Sequence, residues 1–457
     1  MSDKKKDNVN LGEGKVSSLL LKLAIPTVIA QVINMLYNIV DRIYIGHMPE
    51  NGSLALTGVG LCFAIIMLIS AFSSLVCAGG APRASIKMGQ KDLDSAEKIL
   101  GGCFVTTIVF AIALTVLVEA FAEPMLMMFG ASENTLPYAL AYLRIYALGS
   151  IFVMMTLGMN MFITAQGFSQ FSMITTLIGA ITNIVLDPVL IFGFNMGVQG
   201  AAIATIFSQG ISFVWVLTFL FGKKTILHLK KEYMKIDSSV ILPCIALGIS
   251  PFIMQSTEAV LNICFNSSLQ KYGGDIAVGS LTIISSCMSL LQMPLMGLCQ
   301  GAQPLLSYNF GARKNDRVKE GFKIEFTICV AISILFFLVS RFFPEVLASI
   351  FSTNEELITY TSWAMKIYMF GSFMSGVQLC CQNGFMALGQ AKISLLMACL
   401  RKLILLIPLI YILPVFISDK VFAVFLAEPV SDIIAATVTG TMFFARFNSI
   451  LEKGPLN

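Results

Sequence analysis

The chain has 457 residues, of which 56% are hydrophobic and only 12% charged, with a formal net charge of +4 and a mean hydropathy of +0.83. Soluble domains carry about 25% charged residues, so a chain with half that share cannot cover a water-facing surface and must show apolar surface to lipid. A sizeable soluble domain is excluded, and there is no basic, aromatic-interleaved patch of the nucleic-acid-binding kind.

Apolar runs long enough to cross a bilayer, roughly 20 residues each, recur along almost the whole chain. They predict twelve helices, at 19–45, 54–79, 99–121, 137–159, 168–192, 199–221, 240–266, 276–300, 324–343, 360–385, 393–416 and 420–446. The polar, Lys-rich stretch before the first run does not read as a signal peptide, because that run is too long and no small-residue cleavage site follows it.

A charge inside a span costs at least a few kcal/mol, so polar residues there are candidates for function. Span one carries Thr27, Gln31, Asn34, Asn38 and Asp41 at steps of 4, 3, 4 and 3, which is one helix face, with Tyr37 beside it. Such a stripe cannot face lipid; it either bonds neighbouring helices together or lines a polar cavity. Arg42 is a poor partner for Asp41, since adjacent helix residues point apart. Span five carries Asn183 and Asp187 one turn apart, then Pro188, which lacks an N–H and frees the carbonyl of Ile184. A carboxylate, an amide and a free carbonyl at one depth suit a hard cation such as Na⁺, and a buried carboxylate equally suits a proton.

Span six has Thr205, Ser208 and Gln209 on one face. In span seven, Pro251 precedes Gln255, Glu258, Asn262 and Asn266, the last four again sharing a face. Glu258 and Glu428 of span twelve read as the acids lying well inside second-half spans, and a buried Lys or Arg partner is the plain alternative role for Glu258. Span ten has Gln378, Gln382 and Asn383 but no acid. The 25 Met and 35 Phe suit a promiscuous pocket in principle, but as single residues they read as core and lipid-facing filler.

Loop charge orients the chain. Lys4, Lys5, Lys6, Lys15 and Lys22 precede or open span one, Arg83, Lys87, Lys91 and Lys98 follow span two, Lys223, Lys224, Lys230, Lys231 and Lys235 follow span six, and Arg313, Lys314, Arg317, Lys319 and Lys323 follow span eight. Loops after odd-numbered spans are nearly bare of them, so both termini are expected in the cytoplasm. The sequence also repeats itself at a shift of 222 residues: Pro82 falls on Pro304, Gly89 on Gly311, Phe129 on Phe351, Tyr138 on Tyr360, Tyr146 on Tyr368, Gly149-Ser150 on Gly371-Ser372, and Ala165 and Gly167 on Ala387 and Gly389. Pro26 and Pro251 match after a small gap. Six spans per repeat return the chain to its starting side, so the two halves share an orientation and their pseudo-two-fold axis runs along the membrane normal. The expected architecture is all-α, two six-helix bundles: an N-terminal tail 1–18, an N-lobe 19–222, an inter-lobe loop 223–239, a C-lobe 240–446 and a C-terminal tail 447–457.

Enzyme signatures are missing. His47 and His228 both read as loop residues, and no HExxH, serine elbow or Walker A occurs. The 11 cysteines lie in apolar runs without zinc spacing and read as small buried hydrophobes. With no Walker A, an ion gradient is the remaining source of energy for transport.

At these residues the sequence resembles the multidrug and toxic compound extrusion (MATE) family of cation-coupled exporters, over residues 15–450. The resemblance is carried by Ile25-Pro26 and Asn38-Ile39-Val40-Asp41 in span one, by Asn183-Ile184-Val185-Leu186-Asp187-Pro188 in span five, and by Gly200-Ala201-Ala202 with Thr205 in span six. It implies a coupling-cation site of two Asp, one Asn and one Thr, which map onto Asp41, Asp187, Asn183 and Thr205, with Na⁺ a candidate ion there. It implies bending of the first helix at Pro26, and Pro188 and Pro251 are further candidate hinges. Glu258 matches an acid some members use in the C-lobe. The Asp that others carry in span ten is absent, with Gln378 and Gln382 in that region, which counts against a C-lobe cation site.

The expected function is secondary active export of amphipathic, often cationic compounds against inward Na⁺ or H⁺, by alternating access. Gln31, Asn34, Tyr37, Asn38, Gln255, Glu258 and Asn262 are the candidate substrate-cavity residues. No cofactor beyond the coupling ion is expected, and the chain is read as a monomer in the cell membrane that meets small molecules and lipid, not nucleic acid. The rival is a flippase for lipid-linked sugars or cell-wall precursors, kept open by Arg401 and Lys402 in span eleven. A membrane-embedded enzyme or a channel fits less well.

Overall fold

A computed structural model describes residues 10–48 and 52–455, so Lys4, Lys5 and Lys6 lie outside the described residues. Among these residues ten helical segments are long and apolar enough to cross a membrane. The longest, Ser238–Gly311, has 74 residues, which as one rod would be about 110 Å long, more than three bilayer cores. It is broken at Gly274 (φ 64°, ψ −161°), a left-handed conformation that glycine adopts without strain, and so forms two spans. Residues 355–387 form one further span, in which a 3₁₀ turn, Met369–Met374, interrupts the α-helix.

The twelve spans are therefore α1 (Val16–Gly46), α2 (Gly52–Gly89), α3 (Leu93–Met128), α4 (Leu136–Ala165), α5 (Ser169–Pro188), α6 (Gly197–Leu220), α7 (238–273), α8 (275–311), α9 (Asn315–Phe342), α10 (355–387), α11 (Ala391–Phe416) and α12 (Lys420–Lys453). Each predicted span falls on one of them. On α1 the lipid face is explicit: Ile25, Ile29, Val32, Leu36, Ile39 and Ile43 are exposed, at helical spacing, opposite the polar stripe.

Apolar side chains form clusters within each half. One links α2, α3 and α4 with the ends of α1 and α6, and another packs both limbs of the 238–311 hairpin against α10, α11 and α12. The start of α1 departs from a strict division: Leu11, Val16, Leu19, Leu20 and Leu23 are buried with residues of α8, α9, α10 and α12.

The internal repeat is visible as repeated contacts. Ser85 donates to the Ala165 carbonyl at 2.7 Å, and Ser307 donates to the Ala387 carbonyl at 2.9 Å, donor and acceptor both shifted by 222 residues. The two halves meet where small residues let backbones touch. A Cβ on Gly89 would sit 2.0 Å from the Tyr308 carbonyl oxygen, and one on Gly311 would sit 2.0 Å from that of Ile86, the reciprocal contact about the pseudo-two-fold axis. Gly79 and Gly248 make the same kind of crossing between α2 and α7, against the carbonyls of Cys244 and Leu75.

The polar ends of the helices are tied down as well. Gln166 Oε1 accepts from the backbone of Ile226 and Leu227 and from Thr225 Oγ1, all at 2.8 Å, while Glu97 accepts from the His228 backbone and pairs with Lys230 at 2.5 Å. These bonds strap the inter-lobe loop to α3 and α4. At the same face Arg317 and Lys314 donate to the carbonyls of Gly14 and Gly12, and Asn315 donates to the Leu451 carbonyl. The first described residues, the α8–α9 turn and the end of α12 therefore lie together.

Because overpacking costs about 1–3 kcal/mol, we expect Gly89→Ala and Gly311→Ala each to lower the melting temperature of the purified protein in detergent. Gly60, which has open space where a Cβ would go, should accept Ala without loss. Equal melting of all three variants would show that the crossing does not hold the halves together.

Candidate cation and substrate sites

Four helices build the first site. The end of α5 carries Asn183 and Asp187, and Asp187 is 0% exposed although it stands near a helix end. Beyond Pro188 the chain continues as a π turn, Val189–Gly193, as expected where proline removes a backbone donor. Gly200 packs against the backbone of Leu190 in that turn, which sets α6 close enough to bring Thr205 in. From α1, Asp41 comes up beside Asp187, near enough for each carboxylate to act on the other's charge.

Asn183 Nδ2 donates to Asp187 Oδ1 at 3.2 Å and to Thr205 Oγ1 at 3.4 Å. Asp41 Oδ1, Asn183 Oδ1 and Asp187 Oδ2 are all buried without a hydrogen-bond partner. Carried by three neighbouring residues, these are hard oxygens of the kind Na⁺ takes as ligands. Two neighbouring buried carboxylates also need either a cation or a proton between them, since like charges side by side cannot both stay bare. The four residues expected from the resemblance thus lie together. Tyr142 of α4, which the sequence reading did not single out, lies near Thr205 and Asp41 and stacks on Tyr146 at 6.1 Å. Its spacing of one turn from Tyr146 was the available signal. Arg42 leaves the site and lies over the Phe63 ring, 5.5 Å from its centroid.

The candidate cavity residues divide. Gln31 donates to Gln300 of α8 at 2.9 Å, and Gln255 of α7 donates to Ser74 of α2 at 2.9 Å, so both bond across from one half to the other. Asn38 and Asn262 bond only within their own helices, to the carbonyls of Asn34 and Glu258, and both are exposed at membrane depth. Tyr37 is half-buried beside Asp41. Thr27, at the other end of the stripe, is packing: its hydroxyl donates to the Gly297 carbonyl at 2.6 Å. Gln382 and Asn383 of α10 are likewise consumed by Ser250, Ser394, Cys299 and Glu325.

Glu258 forms an ion pair with Lys402 of α11, whose ammonium also donates to the Met254 carbonyl at 3.2 Å. Beside it Arg401 bonds Asp432 at 2.7 Å and lies 3.6 Å from Glu428. Arg401 and Lys402 sit in a π-helical stretch, Leu400–Leu406. The expectation that Glu258 and Glu428 are the interior acids of the second half needs correction: Asp432 and Glu325 are buried too. Asp432 is one turn beyond Glu428 on the same face of α12. Glu325 stands at the start of the predicted span 324–343 and was not singled out there, but α9 begins at Asn315 and carries it into the core. The 11 cysteines are all free, ten of them buried.

A family model described as MatE matches residues 26–189 and again 251–412, once in each half. The chain belongs to the MatE family. The double match coincides with the internal repeat. Among curated MATE relatives, the multidrug export protein MepA of Staphylococcus haemolyticus is 25% identical over 404 residues, 88% of each chain, and MepA of Staphylococcus saprophyticus is 26% identical over 400 residues, 86% of each. Among solved structures, a ligand complex of the MATE multidrug transporter DinF-BH is 31% identical with a TM-score of 0.88, covering 97% of this chain and 98% of that one. A MATE in the bent conformation superposes with a TM-score of 0.91 at 20% identity, covering 98% and 99%. The protein is thus a multi-pass membrane protein of the MATE fold.

If the orphaned oxygens hold Na⁺, adding Na⁺ at a hundredfold excess over Kd should stabilise the protein by about 2.7 kcal/mol through mass action. We expect a Na⁺-dependent rise in melting temperature that Asp187→Asn abolishes and Thr205→Val reduces. A rise of equal size in Asp187→Asn would place the ion elsewhere.

Proposed function

We propose that this chain exports amphipathic, often cationic compounds across the cell membrane in exchange for inward Na⁺ or H⁺. The observation that carries the reading is the closeness of Asp41 to Asp187 amid buried oxygens that have no protein partner. Such a pair is stable only with a cation or proton, and its two carboxylates come from different helices, α1 and α5. Loading therefore ties α1 to α5 and unloading drives the two carboxylates apart, which gives ion binding the differential affinity for two states that coupling requires.

Acidic character extends across the polar interior. Arg401 and Lys402 are each paired with carboxylates, so neither offers a free cation for a phosphate group. That favours cationic cargo over a lipid-linked precursor. The multidrug names of the MepA relatives and of the ligand-bound DinF-BH structure agree with export of varied small molecules. Gln31, Asn34, Tyr37, Asn38, Gln255, Glu258 and Asn262 are the residues proposed to meet cargo, and Pro26, Pro188 and Pro251 those proposed to let helices bend. The Lys- and Arg-rich loops support a cytoplasmic location for the shared face of the two chain ends. Transport, not catalysis, is the proposed activity, by a monomer with no cofactor beyond the coupling ion.

The test is efflux of a fluorescent organic cation from proteoliposomes, with a Na⁺ jump and a pH jump imposed separately. One of the two jumps should drive efflux, and Asp187→Asn should slow it at least tenfold. Equal efflux by the Asp41→Asn, Asp187→Asn double variant would sink the proposal.

A further inference from the structure

The second-half charge cluster is unbalanced. Three carboxylates, Glu258, Glu428 and Asp432, face two bases, Arg401 and Lys402. Arg401 is committed to Asp432 by the 2.7 Å bond and Lys402 to Glu258, which leaves Glu428, 3.6 Å from Arg401, as the acid without a base of its own. An uncompensated charge at membrane depth is expensive, so the neutral cluster holds one proton, and Glu428 is where the pairing leaves room for it. Facing Glu428 are Glu258 from α7, Tyr368 from α10, Arg401 and Lys402 from α11, and Asp432 from its own helix.

The two ends of the Glu258–Lys402 pair differ in access. The Glu258 side chain is 58% exposed and that of Lys402 only 5%. The accessible end of the pair is therefore the carboxylate, and it already carries an ammonium. Lys402 is close enough to Glu428 to act on its charge. Next to the cluster, a cavity of ≈ 10 Å³ is lined by Arg401, Asp432, Gln378 and Ser375. That is room for about one water. Gln378 Oε1 and Ser375 Oγ are buried there without partners, so polar atoms are available beside the acids for a proton on its way out.

We infer that Glu258, Lys402 and Glu428 form a displacement relay, in which an organic cation binding at Glu258 takes the place of the Lys402 ammonium, Lys402 turns to Glu428, and Glu428 releases one proton to water. The O–H bond of Glu428 breaks, its electron pair stays on the carboxylate, and the cluster is neutral before and after. This rests on the reading of the chain as a cation exporter and adds to it a fixed exchange of one proton per cargo charge, away from the Asp41–Asp187 pair. Lys402 is then a tethered stand-in for cargo, which keeps Glu258 neutralised when the cleft is empty.

The experiment uses the full chain in nanodiscs with tetraphenylphosphonium, a permanent cation with no proton of its own. Binding is followed by equilibrium dialysis, and proton release with a pH indicator in weakly buffered medium. Glu428→Gln should release one proton fewer per bound cation than the unaltered chain and bind at least tenfold more weakly, because the cluster then starts neutral with no proton to give. Adding Lys402→Met to Glu428→Gln should restore both affinity and release, since Glu258 itself then carries the displaceable proton. Protons released at Asp41 and Asp187 cancel in these differences. Unchanged release in Glu428→Gln, or no recovery in the double variant, would overturn the relay while leaving the export reading intact. Absence of binding by the unaltered chain would overturn the export reading and the relay with it.

Discussion

The bilayer supplies no water to a buried polar group, and that constraint shapes this molecule at every scale. Backbone groups are satisfied inside helices, so the spans are helical throughout. Hydroxyls in those helices turn back to carbonyls of their own chain, as Thr106 does to Gly102 and Ser280 to Ile276. Hydrophobic attraction between helices is weak in lipid, so the halves are joined where glycine lets backbones meet, at Gly89 with Tyr308 and Gly311 with Ile86. Charge left at depth is costly unless matched, and Glu258, Glu428 and Asp432 accordingly stand with Arg401 and Lys402, while Glu325 accepts a hydrogen bond from Asn383.

The two clusters solve the matching problem differently. Among the described residues neither Asp41 nor Asp187 forms an ion pair, and oxygens are left over. In the second half two bases are supplied by adjacent residues of one π-helical stretch, which is the arrangement that lets both Arg401 and Lys402 point toward acids of different helices. One cluster thus consists of acids alone, and the other carries cations as part of the chain. A cation-exchanging transporter needs the first kind of site.

The repeat explains both the likeness of the halves and their difference. The Ser85 and Ser307 hydrogen bonds and the reciprocal glycine contacts lie at equivalent positions, because they set backbone geometry that both bundles share. Side chains facing the interior are free of that requirement. Glu325 occupies the position that the 222-residue shift assigns to Cys103, and the same bundle therefore buries a carboxyl on one side and a thiol on the other.

The amino-acid sequence by itself determined the class of the protein, its twelve spans, the internal repeat and the Asn183–Asp187–Pro188 turn. Each of these is local or periodic: helix length, face spacing and a fixed shift need no knowledge of neighbours. Asp41 lay on a legible stripe, but its place beside Asp187 joins residues far apart in the chain, and the pairing was reached through resemblance, not spacing. Thr27, Gln382 and Asn383 looked like members of polar sites and proved to be packing bonds, because a sequence shows that a residue is polar but not what consumes its hydrogen bonds. Only the tertiary structure decided that Lys402 belongs to Glu258 and that Arg401 lies between Glu428 and Asp432. Which charge neutralises which depends on helix rotation and crossing, and those are fixed by packing among all the spans at once.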